Sequence, residues 1–251
     1  MALRHKGWRR LFCLMLFLLL FASLILSPHV GQGEADTLLL EGLLQEKGTI
    51  WLSRRHLTKE ETHTLYSTLL ATHPSLFFVS PYYTIAETPF GGVAYLRPTY
   101  RYVGEARNEA QEDYESRLSP LLSPAREMGG QREQLTYLHE YLTTYFAYDT
   151  RYEVFDPYGL LTQGVGVCQA FSLLFFDLCQ RLHIPCEIVI SPSMRHQWNR
   201  VCLDGVWLAV DLVWDLAEGG DQHFLIPEDV LLSLRTAKDP NWQYASCFYY
   251  G

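Results

Sequence analysis

The chain has 251 residues, 28 of them acidic and 20 basic, for a formal net charge of −8. Beyond residue 35 the balance is 27 acidic to 16 basic, a net −11, which disfavours nucleic acid as a partner because a phosphate backbone would be repelled. No Gly-rich phosphate loop, internal repeat or low-complexity tract is present, so nothing calls for a nucleotide cofactor, and the aliphatic and aromatic content supports a sizeable hydrophobic interior.

In chain order, Arg4, Lys6, Arg9 and Arg10 run into an apolar stretch over residues 11–26. A basic flank followed by an apolar core predicts export, and residues 1–35 read as a signal peptide or an N-terminal membrane anchor. Small residues at Gly31, Gly33 and Ala35 suit a signal peptidase, yet none forms a clean Ala-x-Ala site. The remainder is expected outside the cytoplasmic membrane, secreted or anchored by this segment. Cys13 lies in the leader and five cysteines follow it. An odd count leaves a free thiol; Cys179, Cys186, Cys202 and Cys247 can form zero, one or two bridges.

Residues 36–128 read as a small α+β flank. Thr58 with Glu61 three residues later predicts a capped helix start, with Leu65, Leu69 and Tyr66 on its buried face. Short β-branched and aromatic runs at 77–79, 82–85 and 93–96 predict strands. An acidic helix is predicted over 108–122, punctuated by Pro120 and Pro124, and Gly129-Gly130 predicts a boundary.

Residues 129–251 read as the catalytic domain. Leu135, Leu138, Leu142 and Tyr145 fall at helical spacing, as do Phe171, Leu174, Phe175, Leu178 and Leu182. Cys168 therefore opens a helix, where the unpaired N–H groups and the dipole favour a thiolate. Gly164 and Gly166 permit the tight approach to it. Beyond Pro185, runs at 187–190, 196–203 and 206–213 predict strands.

Asp204-Gly205 predicts a two-residue hairpin turn. With Leu203 opposite Val206, His196 lies diagonal to Asp211, and alternation puts both on one face. Asp211 can then orient the imidazole while His196 takes the thiol proton. A one-residue slip would separate them.

These residues resemble the transglutaminase-like superfamily of papain-like thiol enzymes, particularly its exported bacterial members. Gly164-Val-Gly-Val-Cys168 is similar to the family's nucleophile segment, His196-Gln-Trp-Asn-Arg-Val to its His segment, and Asp204-Gly-Val-Trp with Val210-Asp211-Leu-Val-Trp-Asp215 to its Asp segments. Val213 stands where the family often has Thr. The resemblance implies an α+β fold in which the nucleophile helix packs on an antiparallel sheet. It also implies a Cys168, His196, Asp211 site that attacks a carboxamide or peptide carbonyl and passes the acyl group to water or an amine. The expected partner is a protein or peptide substrate, for which the cell surface is one location, and no cofactor is implied. The second oxyanion donor is left among Gln163, Tyr145 and Tyr148, each of which also reads as ordinary packing. The alternative is a catalytically silent binding module on the same fold.

Other clusters read as structural. Cys179-x-x-x-His183-x-x-Cys186 has ligand-like spacing but sits by an apolar helical stripe. Asp215, Glu218 and Asp221 around Gly219-Gly220 do not follow a calcium-loop spacing. Tyr82, Tyr83, Tyr100, Tyr102 and the aromatic end at 242–250 read as packed rings rather than binding residues.

Overall fold

The computed structural model describes residues 32–53, 56–89, 91–238 and 246–248, so the basic and apolar leader over residues 1–31 lies outside the described part. Among the described residues, no helix is long and apolar enough to cross a membrane. The architecture is α+β.

The first half contains α1 (Gln32–Leu44), β1 (Ile50–Trp51), α2 (Lys59–Thr72), β2 (Val79–Glu87), β3 (Val93–Tyr100) and α3 (Glu105–Arg126). Helix α2 starts as its capping box requires. The Thr58 hydroxyl accepts from the Glu61 N–H, and the Glu61 carboxylate accepts from the Thr58 N–H. Tyr66 and Leu69 are buried, with Leu65 packed at the margin.

Three expectations for this half are corrected. The run at 77–79 is mostly not a strand: a 3-10 turn at Pro74–Leu76 sends Phe77 and Phe78 into the core before β2 begins. The run at 82–85 belongs to that same strand, which passes Pro81 through a shift in pairing between Val79 and Tyr83. Proline is tolerated at such an irregularity because no ladder hydrogen bond is lost there. Helix α3 continues through Pro120 and Pro124 to Arg126. Leu118, Leu121, Leu122 and Ala125 are buried along it, so packing offsets the missing donors.

The second half contains α4 (Gln131–Tyr145), β4 (Ala147–Tyr148), α5 (Pro157–Gln163), β5 (Val165–Gly166), α6 (Cys168–Arg181), β6 (Cys186–Ser191), β7 (His196–Leu203) and β8 (Val206–Val210). It closes with α7 (Leu212–Glu218), β9 (Phe224–Pro227), α8 (Glu228–Lys238) and β10 (Ser246–Phe248). Strands β10-β6-β7-β8-β9 form an antiparallel sheet in that order, β1-β3-β2 form a second, and β4 pairs with β5 in parallel. Of the aromatic end, Ser246–Phe248 pairs with β6; residues 239–245 and 249–251 lie outside the described residues.

Helix α6 packs against β6 and β7 and is buried nearly all round, from Ala170 to Phe176 and at Leu178 and Cys179. A helix apolar on every side belongs at the centre of a core. One apolar cluster runs from Ala35 in α1 through α6 to Leu212. The first half is fastened to α6 by polar contacts as well. Tyr114 donates to Asp177 at 2.8 Å, and Arg181 bridges Asp177 and Glu115. Burial raises the Asp177 carboxyl above its ordinary value, with Arg181 opposing.

Candidate active site

Each side chain of the predicted thiol site is delivered by a different kind of local structure. Cys168 is the first residue of α6 and half-buried, so its sulfur stands beside first-turn N–H groups that the helix itself cannot use. The approach depends on two glycines. Gly164 ends α5 in a left-handed conformation (φ 73°), which favours a residue without Cβ. At Gly166 the limit is space: a Cβ there would come within 2.9 Å of the Ala170 Cβ and 3.1 Å of the Leu160 Cδ1.

His196 begins β7, and the hairpin pairs Leu203 with Val206 as the Asp204-Gly205 turn predicts. The ladder stops at Asn199 opposite Val210, however, and the strand expected over 206–213 is cut short. Asp211 is instead the N-cap of α7, accepting the Trp214 N–H on Oδ1 at 3.2 Å. The cap wins because it satisfies an otherwise unpaired helix donor, while Leu212 still enters the core. The carboxylate is 1% exposed, and its Oδ2 accepts from His196 Nε2 at 2.7 Å.

With Nε2 on Asp211, the imidazole has Nδ1 left for the neighbouring Cys168 sulfur. Trp198 and Trp214 flank the ring at 5.8 Å and 6.2 Å between centroids. Burial works against a charged His196, but the Asp211 carboxylate and the Cys168 sulfur outweigh it and raise its pKa to about 9.

Cys168 and His196 open on a cleft of about 990 Å³. The face of α2 carrying Thr64, Ser67, Thr68 and Ala71 forms one wall, and the 192–195 turn with Trp214 forms another. Gln197 donates to the Ala71 carbonyl at 2.8 Å, and Gln169 to the Leu70 carbonyl at 3.4 Å. The residues that follow Cys168 and His196 thus satisfy carbonyls at the end of α2, where a helix leaves them orphaned.

Of the three oxyanion candidates, Tyr148 lines this cleft, while Gln163 and Tyr145 do not. Parallel pairing sets Tyr148 opposite Gly166, two residues before Cys168. Burial first, then the neighbouring Cys168 and Tyr152, hold its hydroxyl up at about 12, so it remains a donor at neutral pH. The turn carrying it is tied by buried Asp149, which accepts the N–H groups of Arg151, Glu153 and Val154. Those bonds, the Glu153 one foremost, lower the Asp149 carboxyl.

A second buried cluster lies behind Asp211. Asp215 is 2% exposed and accepts from His139 at 2.9 Å on Oδ2, and from the His223 ring (3.0 Å) and backbone N–H (2.8 Å) on Oδ1. The His223 carbonyl in turn accepts the Asp211 N–H at 2.9 Å. Sequence reading missed both histidines. His139 sits on the same face of α4 as Leu135 and Leu142, whereas Tyr145, read as part of that stripe, is exposed. The available signal was a polar residue interrupting an apolar stripe.

The Cys179, His183, Cys186 spacing does not form a group: both cysteines are buried and His183 is exposed. Cys168, Cys179, Cys186 and Cys202 are all free thiols. The Cys247 side chain lies outside the described part.

A family model for the transglutaminase-like superfamily matches residues 123–212, a span that includes Cys168, His196 and Asp211. Among solved structures, the chain is similar to a crystal structure of a TGase at 13% identity, covering 67% of this chain and 53% of that one, with a TM-score of 0.38. It is also similar to calcium-bound LapG of Legionella pneumophila at 12% identity, covering 59% and 78%, with a TM-score of 0.33. This chain thus spans about half the length of the first. No curated protein matches significantly.

Proposed function

Starting from the transglutaminase-like domain that this chain carries over residues 123–212, we propose a thiol acyl-transfer enzyme that acts outside the cytoplasmic membrane on a peptide or carboxamide. One observation carries the reading. A half-buried cysteine at a helix start stands beside an imidazole that is itself held at 2.7 Å by a buried carboxylate, and the cysteine and the imidazole line an open cleft.

The chemistry follows from the roles these positions suit. Cys168 Sγ attacks the carbonyl carbon, and the C=O π electrons move onto oxygen. The α6 N-terminus and the Tyr148 hydroxyl are available to that oxyanion. The intermediate collapses with cleavage of the C–N bond, and the His196 imidazolium gives its proton to the departing amine or ammonia. The thioester then accepts water or a primary amine that His196 deprotonates, and the Cys168 thiolate leaves. Water makes the reaction a hydrolysis and an amine makes it a transamidation. Asp211 keeps Nε2 protonated and the ring oriented throughout. The extracytoplasmic location is supported by the basic flank and apolar stretch at residues 4–26.

The test is incubation of the protein with peptide and primary-amine libraries, read by mass spectrometry for cleavage, ammonia loss or amine addition. Products that vanish in Cys168→Ala are expected. Absence of any Cys168-dependent product from both libraries would reject the enzyme and favour a silent binding module.

A further inference from the structure

Next to the Cys168 cleft lies a second cavity of about 350 Å³ that the reaction itself does not use. Its floor is apolar, made by Leu70 of α2, Leu76, Phe77, Val79 and Leu173 of the nucleophile helix, and its rim is aromatic. The rim is built rather than loose. Tyr83 packs on Tyr66 at 4.5 Å between ring centroids, and its hydroxyl bonds His63 Nδ1 at 3.0 Å. Tyr82, on the same rim, is 76% exposed. The two formally charged side chains in the lining, Arg101 and Asp156, are paired with each other, so the cavity offers no uncompensated charge to an ionic ligand.

The two cavities adjoin. Ser67, Phe155 and Gln169 border both, and Gln169 directly follows the nucleophile. An extended chain advances about 3.3 Å per residue, so a peptide held at Cys168 brings a side chain from within a few residues of the reacting carbonyl over this opening. Pockets of this size with an apolar floor and a few fixed polar groups suit a neutral side chain.

We propose that this cavity is a specificity subsite for a large apolar or aromatic side chain of the peptide acylating Cys168, so that the substrate class is a peptide with such a residue near the reacting carbonyl. The assignment rests on the thiol-enzyme reading above. It gives the first half of the chain a direct part in substrate choice, because α2, β2 and the turn between them supply most of the walls.

The experiment uses the full chain and a proteome-derived peptide library, with Cys168-dependent products sequenced and aligned on the reacted carbonyl. Enrichment of Phe, Tyr, Trp, Leu or Met by about fivefold or more at one nearby position is expected. Ser67→Trp plugs the junction of the cavities from an exposed helical position whose hydroxyl bonds only carbonyls of its own helix. It should abolish that enrichment and lower kcat/KM for a Phe-bearing peptide about tenfold relative to its Ala analogue. Tyr82→Ala should weaken the same preference to a smaller degree, and unchanged melting temperatures in both variants separate a lost pocket from a lost fold. Cys168-dependent products without apolar enrichment, or enrichment indifferent to Ser67→Trp, overturn the subsite and leave the thiol enzyme standing.

If no Cys168-dependent product forms, the enzyme reading fails, and saturation-transfer NMR decides the cavity alone. N-acetylphenylalaninamide should then show ring saturation that N-acetylalaninamide lacks and that Ser67→Trp removes. Equal signals from wild type and Ser67→Trp overturn the subsite by this route too.

Discussion

His196 is the residue whose ionisation decides most here. Its folded pKa of about 9 lies above the roughly 6.5 of an unfolded histidine. A group raised on folding stabilises the native state fully below its unfolded pKa, and that contribution is lost as pH rises through the folded value. The melting-temperature advantage of wild type over His196→Gln is therefore expected to be largest at pH 6 and to shrink towards pH 10. A constant gap across that range would mean that the charge on His196 contributes nothing. At pH 7, His196→Ala is expected to slow alkylation of Cys168 by iodoacetamide on the order of 10-fold or more, because the sulfur loses its cationic neighbour. Asp211→Asn should retain binding but lower kcat by about 10²- to 10⁴-fold, since an amide donates where His196 Nε2 needs an acceptor.

Much at this scale was legible in the sequence. A turn dipeptide and strict alternation place His196 and Asp211 on one face without any knowledge of the rest of the chain. What alternation cannot express is that Asp211 leaves the strand to cap α7. The β-branched and aromatic side chains after it favour a strand locally. The cap is decided by the carboxylate's bond to Trp214 and by the His223 carbonyl that holds its backbone.

At the scale of elements, the loop carrying Asp211 leans on α4 and on the approach to β9 through Asp215. Replacing Asp215 by Ala leaves His139 and two His223 donors buried without that acceptor. The cost should be about 3 kcal/mol or more in urea unfolding. The same variant should slow Cys168 alkylation, because Asp211 loses its backbone anchor. Thr58→Ala, at the start of α2, should cost about 1 kcal/mol, an ordinary value for a lost N-cap. That cap was readable from four residues, whereas the extension of α3 through Pro120 and Pro124 was not. Local rules forbid a proline inside a helix, and only the buried face formed by Leu118, Leu121, Leu122 and Ala125 overrides them.

For the whole molecule, the cleft exists because α2 is held against the reactive helix and strand. Gln197→Ala removes the bond to the Ala71 carbonyl and should cost about 1 kcal/mol of stability. Its larger effect is expected on kcat/KM for peptide, with Cys168 alkylation changed little, because the cleft wall moves while the nucleophile does not. Parallel losses in both measurements would place Gln197 with the reacting groups instead. Tyr82 and Tyr83 illustrate the same dependence on assembly: in isolation they are two more aromatic residues of a strand, and beside α2 they rim a cavity next to the cleft.

The sequence by itself determined the helix that begins at Cys168, the Asp204-Gly205 turn and the pairing of Leu203 with Val206. These features rest on periodicity and turn chemistry spanning only a few residues. Only the tertiary structure decided that Asp215 is buried between His139 and His223, that Tyr148 faces the nucleophile, and that α2 walls the cleft. Those contacts join residues as far apart as Ala71 and Gln197. Their partners are selected by which surfaces the core brings together, a choice that leaves no period in the chain for a reader to find.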